Sequence, residues 1–206
     1  LFSFLNKFAD LVYLNILTMI CCIPIITIGA SMTALNYVVL KMVRNEEGYI
    51  TRAFFKSFKQ NFKQATLIWL ILLLIAGILA GDAFIMSYST VAFPSWFRIA
   101  LAIVAFIMVF ATIHVFPVLA KFDNSIKQTF KNSLFMGILS LPKTILMILC
   151  WAVPAVTLIF FFRAFPIVFL LGISGPAFVG ALLYNKTFKR FSRKKIQATV
   201  SGHRSP

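Results

Sequence analysis

The sequence predicts an all-α, polytopic membrane helix bundle of about six transmembrane helices and two cytoplasmic amphipathic surface helices, with both termini in the cytoplasm. Three observations carry this. Of 206 residues, 61% are hydrophobic and only 12% are charged, more apolar surface than a soluble core of that size can hide. Every Lys and Arg except Arg98 and Arg163 falls at Lys7, between Lys41 and Lys63, between Lys121 and Lys143, or in the tail from Lys186 to Arg204. That asymmetry is the positive-inside pattern. Finally, a basic, aromatic ribbon occurs twice, Phe54-Phe55-Lys56-Ser57-Phe58-Lys59-Gln60-Asn61-Phe62-Lys63 and Phe122-Asp123-Asn124-Ser125-Ile126-Lys127-Gln128-Thr129-Phe130-Lys131, and each copy leads into an apolar segment.

The net charge of +15 is therefore read as membrane electrostatics, with anionic lipid headgroups as the partner and no role for nucleic acid. Cys21, Cys22 and Cys150 all sit in apolar runs without metal-ligand spacing, so they read as small packing side chains. No metal or cofactor is expected.

Residues 8–43 are nearly all apolar, too long for one perpendicular span of roughly 20 residues. Pro24 and Gly29 divide them into a hairpin of spans at about 8–24 and 30–45. The hairpin keeps Lys7, Lys41 and Arg44 on one side; a single tilted, kinked helix is the alternative. Because Pro24 is followed by more apolar sequence, the first run reads as membrane segment and not as a cleaved signal. In the hairpin, Asn15 and Asn36 fall at similar depth and are expected to face each other, with Thr18 and Thr33 extending the ladder.

The first ribbon follows the loop Arg44-Asn45-Glu46-Glu47-Gly48, and about 100° per residue puts Phe54, Phe55, Phe58 and Phe62 opposite Arg52, Lys56, Lys59 and Lys63. The third span covers about 65–86, with Gly77 and Gly81 giving it a smooth face suited to packing within the fold. Asp82 ends that span at the outer surface, where Arg98 and Arg163 are expected at the same level as ion-pair partners. Tyr88, Phe93 and Trp96 mark the headgroup level around the outer loop.

The fourth span, about 96–120, carries His114 near its cytoplasmic end, a rare residue inside a membrane helix. In the second ribbon Phe122, Ile126, Phe130 and Leu134 form the apolar edge, Lys127 and Lys131 the charged one, and Asp123 can cap the helix. The fifth span runs from about 140 to 162 and the sixth from about 167 to 185, the latter broken by Gly172, Gly175 and Pro176. Such breaks are tolerated beside protein or a cavity, so a cavity is sought between these two helices. Residues 1–185 thus form one membrane domain and 186–206 a basic cytoplasmic tail.

Aligning Ser57 on Ser125 superposes the ribbons without a gap, so span, surface helix and span occur twice in the same orientation. Convergence on one amphipathic pattern is the competing explanation.

The runs Cys22-Ile-Pro-Ile-Ile-Thr-Ile-Gly29, Val43-Arg-Asn-Glu-Glu-Gly48 and above all Val115-Phe-Pro-Val-Leu-Ala-Lys-Phe-Asp-Asn124 followed by Leu141-Pro142 resemble the YesL family of bacterial integral membrane proteins. The resemblance extends to about Asn185. That family has no established biochemical activity, and its members tend to be encoded beside carbohydrate importers in Gram-positive bacteria. What the resemblance implies is a plasma-membrane accessory of an ABC-type carbohydrate uptake system, and it supplies no catalytic residues.

Two classes of function stay in play. A non-enzymatic accessory subunit would dock its partner through Phe58, Lys59, Lys63, Phe122, Asp123, Asn124 and Lys127. A transporter or channel acting alone would line its path with Asn15, Asn36 and His114. Enzyme chemistry has no foothold, since there is no paired carboxylate, metal spacing, nucleotide loop or nucleophile with a nearby base.

Overall fold

The computed structural model of the chain describes residues 2–46, 48–88, 94–122, 124–160 and 165–185, the side chains of residues 2–4, 165 and 167 excepted. All regular structure in these residues is helical: α1 (Phe2–Cys22), a single 3₁₀ turn (Ile25–Thr27), α2 (Ile28–Val43), α3 (Ile50–Tyr88), α4 (Ser95–Lys121), α5 (Ile126–Leu139), α6 (Leu141–Phe160), α7 (Phe165–Leu171) and α8 (174–185). Five segments among the described residues are long and apolar enough to cross a membrane: Leu5–Cys22, Ile25–Val43, Ile50–Tyr88, Ser95–Lys121 and Leu141–Phe160.

The chain does fold back between α1 and α2. Pro24 stands in extended conformation before the 3₁₀ turn, and the Thr27 hydroxyl donates to the carbonyls of Cys21 (2.6 Å) and Pro24 (2.7 Å), satisfying groups that the broken helix frees. At the other end Lys7 reaches the Asn45 side chain at 2.9 Å, so the start of α1 lies beside the loop after α2.

α2 is the centre of the molecule. Ten of its residues are buried, and its most extensive packing is on α3. Gly29 makes this possible: a Cβ there would lie 2.5 Å from the Ala65 carbonyl oxygen and 2.7 Å from Trp69 Cβ. Without a side chain at that point the two backbones close on each other, the small-residue packing expected between helices in lipid.

Core and lipid-facing surface are unequally distributed along the bundle. Every buried residue of α3 lies between Phe54 and Leu72, and every buried residue of α4 between Phe110 and Leu119. The remaining four or so turns of each helix, roughly 24 Å, bury nothing and expose Leu74, Ile78, Phe84, Ile99, Ile103 and Phe106. An apolar rod that buries nothing against protein is suited to lipid as its solvent.

Two expectations are corrected here and a third is sharpened. The first ribbon is not a separate surface helix: α3 runs unbroken for 39 residues, about 58 Å, and Phe54 is completely buried against the α1–α2 side. No Pro or Gly interrupts residues 50–76, and burial of Phe54 and Ser57 holds the ribbon to the bundle. The glycines at 77 and 81 do not pack within the described fold, since a Cβ at either would meet nothing within 4 Å. The sixth span is broken at the first of its three expected interruptions: residues 172–173 form a turn between α7 and α8, while Gly175 and Pro176 lie within α8.

Candidate functional site

The intramembrane polar residues were expected to face one another or a path; each instead ties helices together. Asn15, fully buried on α1, accepts at Oδ1 from the backbone N–H of Ile173 (3.0 Å) and Ser174 (2.9 Å), and donates from Nδ2 to the Phe169 carbonyl (2.7 Å). Its amide thus caps the start of α8 and satisfies a carbonyl near the end of α7, completing from outside a helix that Gly172 interrupts. Asn36, on α2, donates to the Met32 carbonyl (2.8 Å) and accepts from the Tyr184 hydroxyl of α8 (3.2 Å). The two amides therefore meet the C-terminal helices and not each other. Thr18 and Thr33 bond to Leu14 and Gly29 of their own helices, so the expected ladder between α1 and α2 does not form.

His114 is buried on α4. Its Nδ1 lies 3.3 Å from the Phe110 carbonyl, which can only accept, so Nδ1 carries the proton. Its Nε2 faces the Thr144 hydroxyl of α6 at 3.4 Å. Thr144 lies also 3.1 Å from the Ser140 carbonyl and 3.3 Å from that of Gly137, so a single hydroxyl proton serves the junction of α4, α5 and α6. This arrangement staples the three helices together.

Around the second ribbon, Ser125 is the N-cap of α5, its Oγ accepting from the Gln128 N–H at 3.5 Å, in the place assigned to Asp123. Asp123 itself lies outside the described residues. Phe122, Ile126 and Phe130 pack partly against the core as expected, but Leu134 is exposed. The buried stripe of α5 is Thr129, Ser133, Met136 and Gly137. Gly137 receives the Phe110 ring so closely that a Cβ would overlap it. The Asn124 carbonyl accepts from Gln64 of α3 at 2.6 Å, which joins the two ribbons.

Of the docking candidates, Lys59, Lys63 and Lys127 are exposed and Phe58 half-buried. Phe54, Phe58 and Phe62 pack in series, with centroids 6.2 and 5.5 Å apart, the first pair stacked and the second tilted, and a shallow surface groove beside them is lined by Tyr49, Arg52, Phe55, Lys56 and Lys59. Asp82 and Arg98 form no ion pair with each other, and Arg163 lies outside the described residues. Among the described residues no three His, Cys, Asp or Glu side chains come close enough to hold a metal ion.

The bundle contains cavities among its described residues. One, of about 300 Å³, sits between α6 and the α7–α8 break, where Gly172, Pro154 and Pro176 interrupt regular packing. Another, of about 450 Å³, lies between α2, α4, α6 and α8, with Trp69 of α3 at its wall. The sequence singled out neither Tyr184 nor Trp69, though both carry a legible signal: a polar hydrogen on a large ring within an apolar run needs an acceptor. Tyr184 finds Asn36, and Trp69 Nε1 finds the Ile25 carbonyl at 2.8 Å.

No curated protein and no solved structure matches the chain. Residues 11–83, from α1 through most of α3, match the model of a family described as "Protein of unknown function, DUF624", the family to which YesL-like proteins belong.

Proposed function

We propose that this protein is a non-enzymatic accessory subunit of an ABC-type carbohydrate importer in the bacterial plasma membrane, with both termini inside and the basic ribbons presented to the partner at the cytoplasmic face. The observation that carries this reading is the use made of the polar residues. Asn15, Asn36 and His114 spend their hydrogen bonds on joining helices, while Lys59, Lys63 and Lys127 stay exposed. A sugar crossing the bundle would need many hydroxyls satisfied, at about 1–3 kcal/mol for each one left unpaired. The 450 Å³ cavity offers mainly Met, Trp, Phe and Ile side chains. The resemblance to YesL-like proteins and their association with sugar uptake supplies the partner class.

The test is co-purification from native membranes. The importer's membrane subunits are expected to accompany the protein, and combining Lys59→Glu with Lys127→Glu is expected to remove most of them. Undiminished recovery with the doubly reversed protein retires the reading. Flux of a sugar panel into liposomes holding only this protein is expected to be nil; any saturable flux would establish transport in its place.

A further inference from the structure

The 450 Å³ cavity is far larger than a packing defect: interiors hold few voids bigger than a water molecule, and an apolar void of about 150 Å³ already binds benzene. Its size and mostly apolar lining, with few polar groups, are those of a ligand site. Met32, Met108 and Met147 contribute unbranched side chains from three helices, which adapt to a chain of variable shape. Trp151 and Phe116 supply flat walls.

The cavity lining includes the Thr112 hydroxyl, which donates to the Met108 carbonyl at 2.8 Å, and an amide and a phenol that meet in one place. There the Tyr184 hydroxyl meets Asn36, and the next residue, Asn185, accepts from Arg44 Nε at 3.2 Å. Arg44 is close enough to act electrostatically on both Tyr184 and Lys121, and Lys121 follows Pro117 of the cavity wall by one helical turn. Glu46 is 3.7 Å from Arg44 and also acts on Lys121, but it is half-exposed, so water screens much of its charge. An apolar chamber thus ends on an amide and a phenol, with two cations beyond them. The helices that wall it include four in segments long and apolar enough to span a membrane, α2, α3, α4 and α6, and the cavity is partly open, a setting in which a hydrocarbon chain could enter.

We propose that this cavity holds one hydrocarbon chain of an anionic membrane lipid, whose phosphate lies by Arg44 and Lys121. A chain alone would add no anion to two cations that share the screened carboxylate of Glu46, and a free phosphate would leave the chamber empty; the arrangement suits both together.

The protein's tryptophans allow a direct test. Trp69 and Trp151 line the cavity, and Trp96, which lies outside it, is removed by Trp96→Phe. This protein is placed in phosphatidylcholine vesicles containing a minor, increasing fraction of phosphatidylglycerol brominated along its chains. Occupancy is expected to give saturable quenching, with about fivefold enrichment over the bulk composition, equivalent to about 1 kcal/mol. Unlabelled phosphatidylglycerol is expected to reverse it and inorganic phosphate to leave it unchanged. Thr112→Phe and Ala177→Leu, which fill the cavity, are expected to abolish the enrichment, whereas Thr157→Phe in the smaller cavity keeps it.

Quenching that merely tracks mole fraction in the protein with the cavity unfilled overturns the proposal, whatever the filled variants do. Equal quenching by brominated phosphatidylcholine overturns the assignment of an anionic head, and reversal by inorganic phosphate overturns the lipid as the source of the phosphate.

Discussion

The two ribbons align residue for residue, yet the fold uses them differently. Ser57 lies inside α3, almost wholly buried, while its counterpart Ser125 is the exposed N-cap of α5. The residues one turn on keep the same local habit: Asn61 Nδ2 donates to the Ser57 carbonyl and Thr129 Oγ1 to the Ser125 carbonyl, each at 3.0 Å. Beyond them the copies part. The first continues through apolar residues without a Pro; the second meets Ser140 at φ −128° and then Leu141-Pro142, where the chain starts a new helix. Even the close contacts are inverted. In the α2–α3 pair the glycine, Gly29, is on the earlier helix and the bulky Trp69 on the later one; in the α4–α5 pair the later helix carries Gly137 and the earlier one Phe110. Local pattern sets how a helix bonds to itself, and neighbours decide which of its faces is inside.

This contrast can be broken most severely at Phe54. If the first ribbon is held by burial, Phe54→Ala destabilises the protein by about 3–5 kcal/mol. Unfolding in mixed detergent micelles reports it, and a loss comparable to that of an exposed residue would restore the surface-helix reading. The α4–α5 pair is probed by Gly137→Ala, whose new methyl meets the Phe110 ring at a cost of about 1–3 kcal/mol. The same assay with Phe110→Leu in addition should recover part of that loss, because the ring is what the methyl strikes.

Asn15→Leu removes the cap from α8 and leaves two N–H groups and one carbonyl to find other partners. Polar contacts between membrane helices are individually modest, so about 1–2 kcal/mol is expected, together with faster hydrogen exchange at Ile173 and Ser174. Smallest of all is Ile138→Ala, on the exposed face of α5, which should shift unfolding by no more than about 0.5 kcal/mol. An effect there as large as at Gly137 would mean that a partner helix covers that face.

Much of this was legible beforehand for reasons of chemistry. Pro24 had to interrupt the first apolar run because it can neither donate a backbone hydrogen bond nor fit a helix interior without cost. The helical class and the membrane-length segments followed from the absence of any solvent but lipid for so many apolar residues. The depth of Asn15 and Asn36 was readable too, but their partners were not. Rotation of a helix about its own axis decides which neighbour an amide reaches, and with nearly every face apolar the sequence holds no amphipathic signal to fix that rotation. For the same reason Thr129, Ser133 and Gly137, small residues on a helix that exposes Leu134, Phe135, Ile138 and Leu139, were not legible as part of the inner face of α5.

What the amino-acid sequence determined by itself is the solvent of this protein and the places where its helices break, because composition and proline act without reference to any neighbour. The tertiary structure alone decided that the first ribbon belongs to a continuous helix, that Asn15 completes a helix more than 150 residues away, and that Asn36 and Tyr184 close one end of a cavity. In lipid the apolar faces of a helix are interchangeable as far as solvent is concerned. Choice among them falls to close packing at glycine and to hydrogen bonds between distant segments, and both exist only once the helices have met.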